Sequence, residues 1–371
     1  MAIWKIDELG EFVTLKRGYD LPQQKRKNGE IPIFSSSGVT GTHNEAMVEA
    51  PGVITGRYGT IGEVFFAETS FWPLNTTLYV ENFHENDEKF VYYFLKTLEW
   101  KKFASASAVP GINRNTVHKE IVRFPDFETQ QKIASVLSTI DKKIAVNKAI
   151  NDNLEQQAAT YFQELFINNA NPVWQISTIS DLGTVVGGST PSKTKPEYYT
   201  NNGIAWITPK DLSINKSKFI SHGENDITEL GLKNSSATVM PKGTVLFSSR
   251  APIGYIAIAS NEVTTNQGFK SVIPYSEIGT AFVYFFLKHS LPVIESAASG
   301  STFKEISGSA MKNIPAIIPD RSTLDQFNSF CAPIFAQQKI LEDQNYSLAM
   351  LRDSLLPKLM SGAIDIASIQ L

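Results

Sequence analysis

The chain has 371 residues, 42% of them hydrophobic and 19% charged, and a formal net charge of −3. That length accommodates two or three domains of ordinary size, and the apolar content excludes a disordered chain. The slightly acidic balance excludes indiscriminate polyanion binding, so any nucleic-acid contact must come from local patches.

In chain order, residues 1–127 read as a mixed α/β unit. Strand patterns occur at Gly52-Val-Ile-Thr55, Glu63-Val-Phe-Phe66 and Thr77-Leu-Tyr-Val80 between Gly, Pro and Asn punctuation. An amphipathic helix is expected over 87–101. Asp126 or Thr129 then caps a long helix over 128–170. Residues 171–322 repeat the plan. Strands are expected at Ile204-Ala-Trp-Ile207, Thr244-Val-Leu-Phe247, Tyr255-Ile-Ala-Ile258 and over 268–273, with a helix over 281–291. The capping-box pattern Thr323-Leu-Asp-Gln326 opens a second long helix over 323–371, for which Gly362 is a natural stop.

The two halves are copies. Phe90-Val-Tyr-Tyr-Phe-Leu-Lys96 returns as Phe282-Val-Tyr-Phe-Phe-Leu-Lys288, and Arg57 before Ile61-Gly62 returns as Arg250 before Ile253-Gly254. Each copy closes on a heptad seam. The first runs through Ile133, Leu137, Ile140, Ile144, Asn147, Asn151, Leu154, Ala158, Tyr161 and Leu165. The second runs through Phe327, Cys331, Ile334, Gln338, Leu341, Asn345, Leu348, Arg352, Leu355 and Leu359. Polar residues on such a seam cost stability and fix register. The expected architecture is therefore two tandem α/β domains separated by a pair of long antiparallel coiled-coil helices, a pseudo-twofold object suited to a bipartite target.

Catalytic constellations are missing. Asn171-Pro-Val-Trp174 approaches an amino-methyltransferase signature but has the wrong third residue, and no glycine-rich cofactor loop accompanies it. Pro125-Asp126 with Asp141-Lys-Lys143 mimics a nuclease signature, yet Asp141 falls on a heptad helix. The five histidines are scattered, and no phosphate-cradling Gly-Lys-Ser/Thr loop exists. The opening residues have no signal-peptide core, and no run approaches the roughly 18 apolar residues that span a bilayer. The single cysteine, Cys331, sits on the seam and fits a reducing, cytoplasmic setting without membrane association.

Donors and cations on loops are the candidates for any nucleic-acid contact. In the first half these are Lys25, Arg26 and Lys27, which also fit a solvated loop, with Ser36, Arg57, Tyr58, Thr60, Asn75, Thr76 and Arg114. In the second they are Ser189, Thr190, Lys193, Lys195, Lys210, Arg250, Asn266, Gln267 and Lys304. Arg250 is expected at a strand exit, free for bidentate contact. Asn266 and Gln267 have the amide geometry that pairs with adenine edges, and Asn75-Thr76 is read as their counterpart.

The motifs Gly187-Gly-Ser-Thr-Pro-Ser192, Ile204-Ala-Trp-Ile-Thr-Pro-Lys-Asp-Leu212, Asn266-Gln-Gly268 and Leu356-Pro-Lys-Leu-Met-Ser-Gly-Ala-Ile364, in this order inside a tandem repeat, resemble the specificity (S) subunits of type I restriction–modification systems. The first half departs from that pattern, with no Gly-Gly-Ser-Thr-Pro-Ser counterpart. The resemblance implies a non-catalytic subunit that reads a bipartite duplex target with two target recognition domains. It also implies two modification (adenine-N6 methyltransferase) subunits and two restriction (motor-nuclease) subunits as partners. S-adenosylmethionine, ATP and Mg are then expected on those partners, with no cofactor in this chain. A duplicated adaptor that binds protein without DNA is the alternative.

Overall fold

The computed structural model describes residues 3–105, 110–300 and 304–366. The chain divides into two compact units. Unit 1 comprises Met1–Ala145 with Asn345–Leu371, and unit 2 comprises Val146–Gln344. Their main helices are α1 (Glu88–Thr97), α2 (Phe127–Gln163), α3 (Thr280–His289) and α4 (Arg321–Met360). The long helices α2 and α4 each run unbroken from one unit into the other.

In unit 1, β1 (Thr14–Arg17), β2 (Gly52–Gly56), β3 (Val64–Ala67) and β4 (Thr77–Asn82) form an antiparallel sheet in the order β1-β4-β2-β3. Every residue of β2 is buried because both faces of the sheet are covered. Val53 joins the core built around α1, and its neighbour Ile54 points into a second cluster with Phe34, Phe71 and Tyr79. That cluster lies under a small sheet of Ile31–Ser35, Gly38–His43 and Trp72–Pro73. Helix α1 starts where Asp87 caps the amide of Phe90 at 2.7 Å. It is shorter than expected. Leu98 turns into extended backbone, and Trp100 opens a separate helical turn whose indole bonds back to the Leu95 carbonyl.

Unit 2 repeats this sheet with β5 (Gly183–Gly187), β6 (Val245–Ser249), β7 (Ile253–Ala259) and β8 (Lys270–Pro274) in the order β5-β8-β6-β7, extended by Phe219–Ile220 along β7. A second sheet holds Tyr199–Thr200, Ile204–Ile207, Asn225–Ile227 and Thr264–Thr265. Helix α3 is buried along nearly its whole length.

Within each unit the segments of α2 and α4 pair antiparallel, as the heptads imply. In unit 1, Ile133 and Leu137 share a core with Leu359, and Asp141 meets Arg352 at 2.8 Å. In unit 2, Asn147 donates to Gln344, Asn151 to the Gln338 carbonyl, and Gln326 to the Tyr161 hydroxyl. Rising numbers on one helix thus meet falling numbers on the other. The seam polar groups Asn147 and Gln338 are buried and bonded across the pair, which fixes the register. The second helix starts earlier than the capping box suggests. Asp320 accepts from the amide and hydroxyl of Thr323, so the helix begins at Arg321 and Gln326 is released to reach Tyr161. Asp126 does the same for α2 through Thr129, and both carboxyls are held below their usual range mainly by these backbone amides.

A buried polar network ties the unit 2 sheet to the helices. Lys218, at the edge of β7, forms an ion pair with Glu155 and donates to Gln338 at 2.5 Å. Its ammonium also lies over the rings of Tyr284, Phe285 and Phe335. Glu155 accepts from Lys288 at 2.5 Å and from the Tyr284 hydroxyl at 3.1 Å. Burial pushes the Glu155 carboxyl up, but Lys218 and Lys288 together outweigh it and hold it below its ordinary value. Glu342 accepts from the amides of Lys218 and Phe219.

Candidate nucleic-acid interface

In unit 2 four chain segments meet at one end of the sheet. Leaving β5, Gly188 passes so close to the next segment that a Cβ there would sit 2.1 Å from the Asn266 carbonyl oxygen and 2.3 Å from that of Thr265. The approach lets Ser189 donate to Thr265 at 2.9 Å and brings the Thr190 hydroxyl onto the side-chain oxygen of Gln267. Entering β8, Asn266 spends its side-chain oxygen on the amide of Gly268 at 2.8 Å. At the exit of β6, Ser249 donates to the Gly268 carbonyl and accepts from Ile306. This seats Arg250 beside Glu305, with Nη1 and Oε2 3.3 Å apart. Lys270 reaches the other oxygen of the same carboxylate at 3.8 Å. Arg250 is thus paired, where the sequence suggested a free guanidinium.

The remaining unit 2 candidates surround this junction. Pro209 packs on Gly268, which brings the next residue, Lys210, near it, but Lys210 is bound to Glu224 at 2.6 Å. Lys193 and Lys195 are exposed further along the loop, the latter 3.9 Å from Glu197. Lys304 is exposed and adjoins Glu305.

Unit 1 builds the same junction, and its backbone hydrogen bonds give the equivalences. Arg57 donates to Thr76 at 2.8 Å as Ser249 does to Gly268 at 2.7 Å, and Ile112 donates to Arg57 as Ile306 does to Ser249. Tyr19 donates to Pro73 as Ser189 does to Thr265. Arg57 therefore stands where unit 2 has Ser249, and Tyr58 where it has Arg250. The sequence pairing of the two arginines is one residue out of register, because the loops from Arg57 and Ser249 to Gly62 and Gly254 have equal length and the arginines occupy adjacent places in them. Asn75 likewise corresponds to Gln267 and Thr76 to Gly268. The Gly-Gly-Ser-Thr motif has a counterpart after all in Arg17-Gly18-Tyr19-Asp20, since a Cβ on Gly18 would also meet carbonyl oxygens, those of Leu74 and Pro73. Asn75 donates to Asp20 where Gln267 meets Thr190.

Side chains differ where backbones agree. The Arg57 guanidinium lies 4.5 Å over the Tyr58 ring, its Nε donating to the Ile112 carbonyl. Ser36 reaches in from the hairpin of the small sheet, with its hydroxyl 3.3 Å from where a Cβ of Gly59 would stand. Thr60 is exposed on the same loop, and Arg114 is exposed two residues beyond Ile112. Lys25, Arg26 and Lys27 are not brought to this junction. Arg26 bonds the Thr40 carbonyl, and Lys27 donates its amide to His43. Asp20, Lys270 and Glu305 belong to the junctions and escaped the sequence reading. Glu305 directly follows Lys304, a pattern that looks like a solvated pair.

The apparent catalytic signatures dissolve into scaffold. Asp141 accepts from Tyr93 and pairs with Arg352, while Trp174 donates to Asp320. Cys331 is buried, which pushes its thiol up to about 12. Among the described residues no three His, Cys, Asp or Glu side chains converge as a metal site, and no helix is long and apolar enough to cross a membrane.

The family model described as the type I restriction modification DNA specificity domain matches residues 1–156 and again residues 172–343. The type I restriction enzyme MjaIX specificity subunit of Methanocaldococcus jannaschii is 43% identical over 162 residues, which are 43% of this chain and 37% of that subunit. The HindI specificity subunit of Haemophilus influenzae is 24% identical over 348 residues, 72% of this chain and 75% of that one. The EcoR124I/EcoR124II specificity subunit of Escherichia coli is 27% identical over 209 residues, 54% of this chain and 50% of that one. Alignment thus spans from about a third to three quarters of these relatives' own lengths. A crystal structure of the type I restriction-modification S subunit from M. genitalium shares the fold, with a TM-score of 0.65 over 96% of both chains at 18% identity. Matched twice and over most of its length, this chain belongs to the type I restriction–modification DNA specificity family.

Proposed function

We propose that this chain is the non-catalytic DNA-recognition subunit of a type I restriction–modification assembly, with each unit reading one half-site of a bipartite duplex. The observation that carries this reading is the junction built twice on one backbone plan with different side chains. Arg57, Tyr58 and Asn75 stand in unit 1 where Ser249, Arg250 and Gln267 stand in unit 2. Equal scaffolds with unequal donors and acceptors are what two readers of different sequences require. Residues 171–322 act as one exchangeable target recognition domain and 1–127 as the other. The long helices α2 (Phe127–Gln163) and α4 (Arg321–Met360) serve as spacers.

In this reading two modification subunits bring S-adenosylmethionine and flip an adenine out of the duplex for N6-methylation, and two restriction subunits bring ATP and Mg. Apolar side chains left exposed on the long helices support docking. They include Val146, Ile150 and Ile340 in unit 2, and Tyr346, Met350 and Leu351 in unit 1. Genome-wide mapping of methylated adenine in cells with and without the chain tests the proposal. Methylation at a bipartite motif should require it, and exchanging 171–322 for the matching segment of another family member should alter one half-site only. Loss of both half-sites' identity, or a motif independent of the chain, would sink it.

Single side chains should separate by role. Arg250→Ala should relax discrimination at one base position by about 1–3 kcal/mol. Lys193→Ala should weaken binding to all sequences alike and flatten the salt dependence. Competition binding across a panel of single-base variants of the mapped site measures both effects. An Arg250→Ala protein with unchanged preferences would assign that residue to phosphate contact or packing.

A further inference from the structure

We propose that Glu305 is a specificity-determining residue of unit 2, holding Arg250 and Lys270 in a partly neutralised charge cluster so that DNA phosphate alone engages them poorly. The inference rests on the DNA-reading function and deepens it. Its carboxylate spans both cations, with Oε2 3.3 Å from Arg250 and Oε1 3.8 Å from Lys270. Backbone pairing puts it there. Glu305 exchanges hydrogen bonds with Ser299, and the next residue, Ile306, is bonded to Ser249 at 3.0 Å.

Unit 1 supplies an internal control. The residue at the place of Glu305 is Gly111, which bonds to Ser105 as Glu305 does to Ser299. A Cβ there would stand 2.1 Å from the Tyr58 ring, so no side chain fits at this point while Tyr58 keeps its position. By the same register, β4 has Leu78 where β8 has Lys270. Unit 2 therefore places two cations and one anion where unit 1 places Tyr58, Leu78 and Gly111, none of them charged.

The electrostatic consequence follows from the count. With Glu305 ionised the cluster presents a net charge of +1, and without it +2. Sequence-independent binding scales with the number of phosphates neutralised, each contributing about 0.9 to the slope of log affinity against log salt. An ion pair this exposed is worth only ~0–1 kcal/mol, so a base edge offering paired acceptors can displace the carboxylate. A phosphate is itself an anion and is repelled by the same carboxylate, whereas a neutral base edge is not. Glu305 thereby lowers the background against which Arg250 reads.

The test uses the complex of the full chain with its modification subunits, in the parent form, as Glu305→Gln and as Glu229→Gln. Glu229 is an exposed acid 3.9 Å from Lys233 on a surface helix of the same unit, so its variant removes one negative charge elsewhere. Binding is measured across a salt series to a duplex carrying the mapped methylation site and to a scrambled duplex. Glu305→Gln should steepen the scrambled-duplex slope by about 0.9, which is roughly a 3.5-fold extra gain per fourfold dilution of salt. The ratio of specific to scrambled affinity should fall several-fold. An unchanged slope and ratio, or an equal change in Glu229→Gln, would overturn the role of Glu305 while leaving DNA reading intact. A parent complex that prefers no duplex would overturn the DNA reading, and this inference with it.

Discussion

Glu155→Ala is expected to destabilise unit 2 by about 3–5 kcal/mol, because removing one member of a buried ion pair leaves the other charge uncompensated. The stranded charge is Lys218, whose side chain is only 6% exposed. Lys288 and the Tyr284 hydroxyl lose their acceptor in the same step. Gln338 remains to accept from the Lys218 ammonium. For a unit of this size the loss corresponds to roughly 2–4 °C in Tm per kcal/mol. Replacing the pair together, as Glu155→Leu with Lys218→Met, should cost far less, since a well-packed apolar pair often matches a buried ionic one. Chemical denaturation of Glu155→Leu, of Lys218→Met and of the double variant forms the necessary cycle. Additive losses would show that the network contributes no coupling. A destabilised unit 2 should also lose its half-site while unit 1 retains its own, because Lys218 immediately precedes the strand that edges the sheet presenting Arg250.

A matched insertion in both long helices should lengthen the unread gap between half-sites. Residues α2 Asn147 and α4 Gln344 face each other, so four residues inserted after Lys148 and four before Asp343 preserve the pairing on either side. Four residues add about 6 Å at ~1.5 Å per residue, and duplex DNA rises ~3.4 Å per base pair. If the unbroken helices act as a ruler, the recognised gap grows by one or two base pairs with both half-sites unaltered. Insertion in α2 alone should abolish recognition, because the seam slips past its Asn147 and Gln338 register contacts. Methylation mapping reads both outcomes. An active double insertion with the original gap would mean that partner subunits set the spacing.

The duplication, the α/β character and the paired long helices were legible in the sequence because each is written in local periodicity. Ile133, Leu137, Phe327 and Cys331 are buried where the heptads put them, and a period of three and four needs no tertiary partner to be recognised. Helix ends were read less well. Asp320 took the role assigned to Thr323 because a cap depends on which side-chain oxygen reaches the third amide, a matter of backbone geometry. The candidate junction was legible only in part. Gly188, Asn266 and Gln267 announce a tight turn and amide donors in their types alone. That Arg250 faces Glu305 at a sequence separation of 55 was decided by strand pairing. So was the finding that Tyr58, and not Arg57, is its counterpart. Sequence repeats align letters, whereas hydrogen-bond registers align positions, and a shift of one residue in a loop moves a charge from one place to the next. Composition and period determined what this protein is built from; the fold alone decided which charges meet.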